Sequence, residues 1–336
     1  MPERTGVSHG TVHDEKPAEG QGVARALVTG AGGFVGAWLT AALRRQGTHV
    51  VALATDALPG HDASLEWHYG DLRDDRYVEH AVLAARPDVV VHLAAVSHVP
   101  TAAADPALAW DVNVTSTVRL LHHLGAARSA TGIDPTVLIV GSAEQYGRHD
   151  AAELPLTEDA VQAPRTVYAA TKAAQETAAL QVERASGMRI VAARSFNHSG
   201  RGQEARFVLP ALVARAVALR TAPEGTPMVL GNTTPVRDFL HVSDVVAAYI
   251  SLCRLGASGE AYNVASGIGW SVAELVQRVL SRVGVSAPLT EDPALVRPVD
   301  VPALVGDSQK LQRATGWRVT QSIDDIIDDL IHAATH

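Results

Sequence analysis

Short apolar runs alternate with helix-patterned stretches over the first two thirds of this chain, and that alternation constrains the fold more than any single residue. The runs are Val23 to Val28, His49 to Leu53, Pro87 to Leu93, Thr136 to Val140 and Arg189 to Ala193. After the first, Phe34, Val35, Trp38, Leu39, Ala42 and Leu43 recur at helical spacing, and further helices are expected over Asp75 to Arg86, Pro106 to Ala130 and Tyr168 to Ser186. Strands that are apolar throughout and separated by helices belong to a parallel sheet covered on both faces, because each crossover lays a helix against it. The expected class is α/β, a doubly wound parallel sheet whose ligand crevice lies at the carboxyl ends of the strands.

Beyond Asn197 the rhythm loosens. Helices are expected over Val208 to Arg220, Ser243 to Leu255 and Ser271 to Val283, a short strand at Met228 to Leu230, and a last helix over Ser322 to Ala334 with Ile323, Ile326, Ile327 and Leu330 on one face. The 336 residues, 47% hydrophobic and 19% charged, suit one large folded domain with a smaller partner and exclude a mainly disordered or fibrous chain. A net charge of -8 repels a phosphate backbone, so no nucleic acid partner is expected. Cys253 lies in an apolar helical stretch and reads as a core residue. The 15 histidines show no ligand spacing beyond the His122-His123 pair, and no metal site is expected. No window approaches the roughly 18 consecutive apolar residues of a membrane span, and the polar N-terminal segment lacks the apolar stretch of a signal peptide. A cytoplasmic protein with a disordered tail at 1–22 is expected.

The first turn reads Thr29-Gly30-Ala31-Gly32-Gly33-Phe34-Val35-Gly36, between a strand and an amphipathic helix. Gly30, Gly33 and Gly36 in that context let the backbone approach a pyrophosphate at a helix N-terminus, which points to dinucleotide binding and a Rossmann-type sheet. At the end of the second strand, Ala54 falls where an acid usually bonds the ribose of NAD, Asp56 follows two residues later, and no Arg stands beside it for a 2'-phosphate. The choice between NAD(H) and NADP(H) stays open. In Gly70-Asp71-Leu72-Arg73-Asp74, Asp71 reads either as an adenine contact or as an acidic helix start.

Tyr168-Ala169-Ala170-Thr171-Lys172 places a phenol and an ammonium on one helix face, where Lys172 is expected to lower the Tyr168 pKa and to hold the nicotinamide ribose. Ser142, just after the strand ending at Val140, is positioned to bond the oxygen being oxidised or reduced. The expected organisation is a dinucleotide-binding domain over 23–196, with later returns from the C-terminal part, and a substrate lobe over 197–336.

With Thr-Gly-x-x-Gly-x-x-Gly at 29–36, His92-Leu93-Ala94-Ala95, Tyr-x-x-x-Lys at 168–172, and Arg237-Asp238-Phe239 with Asp244, the chain resembles the extended short-chain dehydrogenases/reductases of the nucleotide-sugar epimerase/dehydratase kind, over about residues 24–333. Arg194 to Gln203, Arg297-Pro298-Val299-Asp300 and Gly306 to Leu311 resemble the GDP-6-deoxy-4-keto-mannose reductase and GDP-mannose dehydratase branch, the reductases more closely. The resemblance implies Ser142, Tyr168 and Lys172 as the catalytic set, cofactor contacts at Phe34, Val35, Leu72, Leu93, Ala94 and Ala95, and a structural or cofactor-side role for Asn113. It implies a nucleotide diphosphate sugar, GDP-linked by preference, held by Ser97, Asn197, Arg237 and Arg297, the arginines forking phosphate oxygens. His198 reads equally as a sugar or base contact and as a cap or core histidine. Ser195 and Arg201 replace prolines common in the reductases.

Three reactions compete. A 4,6-dehydratase needs acids after the catalytic hydroxyl residue; here Glu144 is present and Ala143 replaces the other, which disfavours dehydration while leaving Glu144 as a candidate base. A 4-keto reductase, preferred, or a 4-epimerase needs only Ser142, Tyr168, Lys172 and the nicotinamide. The non-catalytic alternative is a dinucleotide-binding module. The resemblance also implies a homodimer through the helices near Pro106 to Ala130 and Tyr168 to Ser186, with Ala170, Ala174 and Thr177 on the outer face.

Overall fold

Residues along each strand of the main sheet alternate between two separate cores, which is why the strands are apolar throughout. In β1 (Arg25–Thr29), Ala26 and Val28 face one side and Leu27 the other; in β2 (His49–Ala54), Val50 and Ala52 oppose Val51 and Leu53. The computed structural model describes residues 23–57, 62–295 and 301–335. The expected tail at 1–22 and Arg297 lie outside the described residues. The sheet has seven parallel strands in the order β10-β6-β5-β4-β1-β2-β3, with β3 at Glu66–Tyr69, β4 at Val89–His92, β5 at Thr136–Val140, β6 at Ile190–Ser195 and β10 at Ala261–Val264. One face is covered by α1 (Phe34–Arg45) and α8 (Val242–Leu255), through Leu39, Leu43, Val245, Tyr249 and Leu252. The other is covered by α2 (Asp75–Ala85), α5 (Ser116–Thr131) and α6 (Val167–Ser186), through Val78, Val82, Leu120, Leu124 and Ala179. Cys253 is buried in α8, and burial pushes its thiol up to about 12.

The five expected strands are present. The two outermost, β3 and β10, carry no apolar run: β3 is the polar edge segment Glu-Trp-His-Tyr, and in β10 the buried Asn263 is satisfied by the Leu156 carbonyl and the Tyr146 hydroxyl. The expected single helix over 106–130 is instead broken. Following α3 (Val99–Ala104), Asp105 caps α4 (Pro106–Trp110) by accepting from the Leu108 N–H at 3.0 Å, and a π turn, Asp111–Thr115, precedes α5. The extra residue in the turn accompanies a buried Asn113, which accepts from Val96 N–H (2.7 Å) and donates to Thr171 Oγ1 (2.9 Å).

The smaller lobe holds β7 (Asn197–Ser199), α7 (Val208–Leu219), β8 (Met228–Leu230), β9 (Val236–His241), β11 (Gly269–Ser271), α9 (Val272–Val283), β12 (Leu289–Glu291), β13 (Ala303–Leu304) and α11 (Ile323–Thr335), while α10 (Gln309–Thr315) returns to the main sheet, its Leu311 buried in the core beneath α8. Leu212, Val276, Ile326 and Leu330 share its core with Phe239. The acid of the Arg-Asp-Phe motif is a clamp: buried Asp238 accepts from Ser266 and from the Gly267 and Gly306 N–H groups, and burial raises its pKa to about 6. Asp244 likewise holds the Thr320 and Gln321 N–H groups before α11.

The β1–α1 turn joins the lobes to the site. Gly30 has φ +67°, and a Cβ there would lie 2.7 Å from the Ala94 nitrogen; one at Gly36 would lie 2.4 Å from the Gly30 carbonyl oxygen. Both glycines are required by the backbone itself. Gly36→Ala is therefore expected to lower stability by about 1–3 kcal/mol through overpacking, measured as a drop in the thermal unfolding midpoint.

Candidate active site

Gly33 has a different reason for lacking a side chain. A Cβ there would meet only the Gly30 carbonyl oxygen at 3.3 Å, and the residue is exposed at the N-cap of α1, so its bareness opens the helix terminus outward. That terminus has no side-chain cap and no acid in its first turn, which leaves the N–H groups and the positive end of the dipole for an anion. Phe34 and Val35 begin the helix, while Leu93, Ala94 and Ala95 leave the adjacent β4, all partly buried beside the turn. The geometry fits a dinucleotide pyrophosphate. Ala54 is partly buried at the end of β2 and Asp56 is exposed. The Asp71 carboxylate is engaged by Arg73, at 2.8 Å to its N–H and 2.9 and 2.6 Å to its guanidinium, so an adenine would have to compete for it. Asp74, not Asp71, caps α2. Leu72 is buried below this loop.

The end of β5 and the first turns of α6 bring Ser142, Tyr168 and Lys172 together. Thr166 caps α6 by accepting from the Ala169 N–H at 3.1 Å, which starts the helix so that Tyr168 and Lys172 share the face turned to the end of β5. Past Val140, Ser142 caps the 3₁₀ turn Ala143–Tyr146 and its N–H donates to Gln145 Oε1 at 2.7 Å. The Tyr168 phenol is hydrogen-bonded to the Ser142 side chain. Burial, with a smaller push from the nearby Glu144 charge, raises the phenol to about 12, and the Ser142 bond opposes the rise.

Lys172 is 3% exposed, and burial lowers its pKa to about 7. Its Nζ donates to the Val140 carbonyl (2.8 Å) and to Gln175 Oε1 (2.9 Å). The expected lowering of the Tyr168 pKa by Lys172 is therefore not what the structure shows: the ammonium is directed to the strand and to Gln175, and the phenol is raised. Ala143 is buried, and Glu144 is partly buried near Tyr168.

In the smaller lobe, β7 pairs with β9 and sets Asn197 opposite Phe239, which places Asn197 and His198 next to the strand carrying Arg237. His198 Nδ1 donates to the Phe196 carbonyl (2.9 Å), and the ring stacks on Phe34 with ring centroids 6.3 Å apart and planes 9° apart. The ring thus bridges the glycine turn and the smaller lobe, with burial lowering its pKa. The Arg237 guanidinium donates to the Val236 carbonyl at 2.9 Å. Ser97 is exposed just past β4.

Sequence reasoning missed the groups that hold the site. Arg194, in a fully buried strand, pairs with Glu176 of α6 at 2.7 Å, with side chains 8% and 4% exposed. Glu176 also accepts from Gln145 Nε2 (2.9 Å) and Gln162 Nε2 (2.9 Å), and Gln145 in turn holds the Ser142 N–H. The signal was available: a charge inside an otherwise apolar strand demands a partner.

The family model for GDP-mannose 4,6-dehydratase matches residues 27–330. GDP-6-deoxy-D-mannose reductase of Pseudomonas aeruginosa is 33% identical over 309 residues, 91% of this chain and 96% of that protein. UDP-glucose 4-epimerase of Lactobacillus helveticus is 27% identical over 327 residues, 90% and 94% of the two chains. The solved structure of RMD from Pseudomonas aeruginosa complexed with NADPH superimposes with a TM-score of 0.81 at 30% identity, covering 93% of this chain and 99% of that one.

Removing one member of the buried pair strands the other. Glu176→Ala is expected to cost about 3–5 kcal/mol, read as a lower urea midpoint.

Proposed function

Because the chain belongs to the GDP-mannose 4,6-dehydratase family of extended short-chain dehydrogenases/reductases, we propose that it reduces the 4-keto group of a nucleotide-linked 6-deoxy sugar, GDP-linked by preference. The cofactor is NAD(H) or NADP(H), which when bound supplies the hydride. Gly30, Gly33 and Gly36 with the α1 terminus would hold its pyrophosphate, Leu93 to Ala95 its flank, and Lys172 its ribose. The observation that carries the reading is the Tyr168 phenol, held protonated at about 12 and hydrogen-bonded to Ser142. A reduction starts from that state: Ser142 orients the keto oxygen and Tyr168 gives it a proton as the carbon is reduced. Buried, apolar Ala143 stands where a dehydratase would place an acid, which argues against elimination despite Glu144. Asn197, Ser97, His198, Arg237 and Arg297 are the proposed substrate contacts, the arginines for the diphosphate. A 4-epimerase is the second reading, favoured by the epimerase relatives and by the same catalytic set.

The homodimer belongs to the same proposal. Trp110 and Val118 are 43% and 45% exposed on α4 and α5, beside the partly buried Ala170 and Ala174 and the exposed Thr177 of α6. Such a face of small and apolar side chains suits close helix packing. No described helix is long and apolar enough to cross a membrane. A cytoplasmic location belongs to the same proposal.

Purified protein with NADPH and GDP-4-keto-6-deoxymannose is expected to oxidise the cofactor. Interconversion of UDP-glucose and UDP-galactose with no NADPH consumed would instead establish the epimerase. Tyr168→Phe is expected to lower turnover by about 10²–10⁴-fold while the NADPH dissociation constant, followed by fluorescence, changes little. Ala174→Arg is expected to yield monomers in sedimentation, where the wild type sediments as a dimer.

A further inference from the structure

Lys172 is a buried cation whose hydrogen bonds go to neutral groups, the Val140 carbonyl and the Gln175 amide. Beyond Gln175 the hydrogen bonds form one chain whose directions are all determined. An ammonium only donates, so Gln175 must turn its oxygen to Lys172 and its nitrogen to Thr117 Oγ1, 2.9 Å away. The Thr117 hydroxyl donates to the Asn113 carbonyl (2.8 Å), so toward its other neighbours it accepts. His92 Nε2, 2.8 Å from Thr117 Oγ1, therefore carries the ring proton, and His92 Nδ1 accepts from Thr29 Oγ1 at 2.7 Å. Thr29 Oγ1 accepts in turn from the Ala94 N–H at 3.2 Å. Thr29 immediately precedes Gly30, and His92, Thr117 and Gln175 are all fully buried. His92 stays neutral, since burial and the Lys172 charge hold its pKa down at about 3.

We propose that Gln175 is a positioning residue: locked in one orientation by Thr117 and His92, it fixes where the Lys172 Nζ points and how tightly that nitrogen keeps its proton, and through Thr29 it ties both to the glycine turn. A free amide could offer the lysine either its oxygen or its repelling NH₂ group; the donor count along this chain permits only the oxygen. The adjacent Glu176 plays no part, because it is consumed by Arg194, Gln145 and Gln162. The other titratable groups facing this stretch are His92 of β4, Tyr168 one turn earlier, and Glu144 acting on Tyr168 from the 3₁₀ turn, while the π turn and α5 present the neutral Asn113 and Thr117. The consequence for turnover rests on the catalytic reading of Lys172; the effect on the lysine's proton does not.

The sequence makes the test direct, because it contains three lysines, Lys16, Lys172 and Lys310. The full-length protein labelled with ¹³C at lysine Cε gives three side-chain signals, assigned with Lys16→Arg and Lys310→Arg, and titrated by NMR. The Lys172 midpoint is expected near the value of about 7 that burial sets. Gln175→Glu, which puts a carboxylate against Nζ, is expected to raise it by about 1–3 units. Gln175→Met, which removes the acceptor without adding charge, is expected to lower it. Thr117→Val, which frees the amide to turn, is expected to shift it in the same direction as Gln175→Met. If the folded Gln175→Met protein, which binds NADPH, keeps the wild-type Lys172 midpoint, the proposal is overturned even should Gln175→Glu not fold. Turnover of Lys172→Ala tests the catalytic reading separately, so failure of either is distinguishable.

Discussion

The Arg194–Glu176 pair is the interaction on which the geometry of the site depends. Two charges removed from water between β6 and α6 are tolerable only with nearly every donor and acceptor satisfied, and here they are: the guanidinium bonds Glu176, the Tyr146 hydroxyl and the Glu158 carbonyl, while the carboxylate also takes Gln145 and Gln162. Such a pair adds little net stability, yet it admits few alternative packings. It pins α6 to the sheet two turns after Tyr168, and through Gln145 it fixes the backbone of Ser142.

The sheet supplies the coarse positioning and consecutive residues of α6 supply the fine. Because the strands are parallel and in register, with Thr29 opposite His92 and His92 opposite Ile139, the ends of β1, β4 and β5 arrive at one edge. Gln175 then faces the chain that leads to Thr29 and the glycine turn, and Glu176 faces the one that leads to Ser142. The smaller lobe is attached by its own clamps, Asp238 and Asp244, and approaches the glycine turn where His198 stacks on Phe34.

What the sequence disclosed follows from what each feature needed. The five inner strands were legible because burial on both faces forces an apolar run, whereas β3 at the polar edge and β10, with its buried Asn263, needed none. The break before α5 was hidden because Asn113 looks unremarkable within a helical pattern until its bonds to Val96 and Thr171 are seen. Tyr168 and Lys172 were legible from their spacing. The direction of the Lys172 ammonium was not, because on an isolated helix Gln175 and Glu176 read as solvent-facing and only the covering sheet turns them into partners. For the same reason the expected influence of Lys172 on Tyr168 gave way to burial of the phenol.

Under the proposed function, a nicotinamide cofactor would supply hydride to a sugar ketone while Tyr168 gives the proton. This transfer is tested most directly by incubating the enzyme with deuterated NADPH and a GDP-linked 4-keto-6-deoxy sugar and locating the label by NMR. Deuterium is expected at C4 of the product, one for each cofactor oxidised. A product with no label at C4 would contradict it.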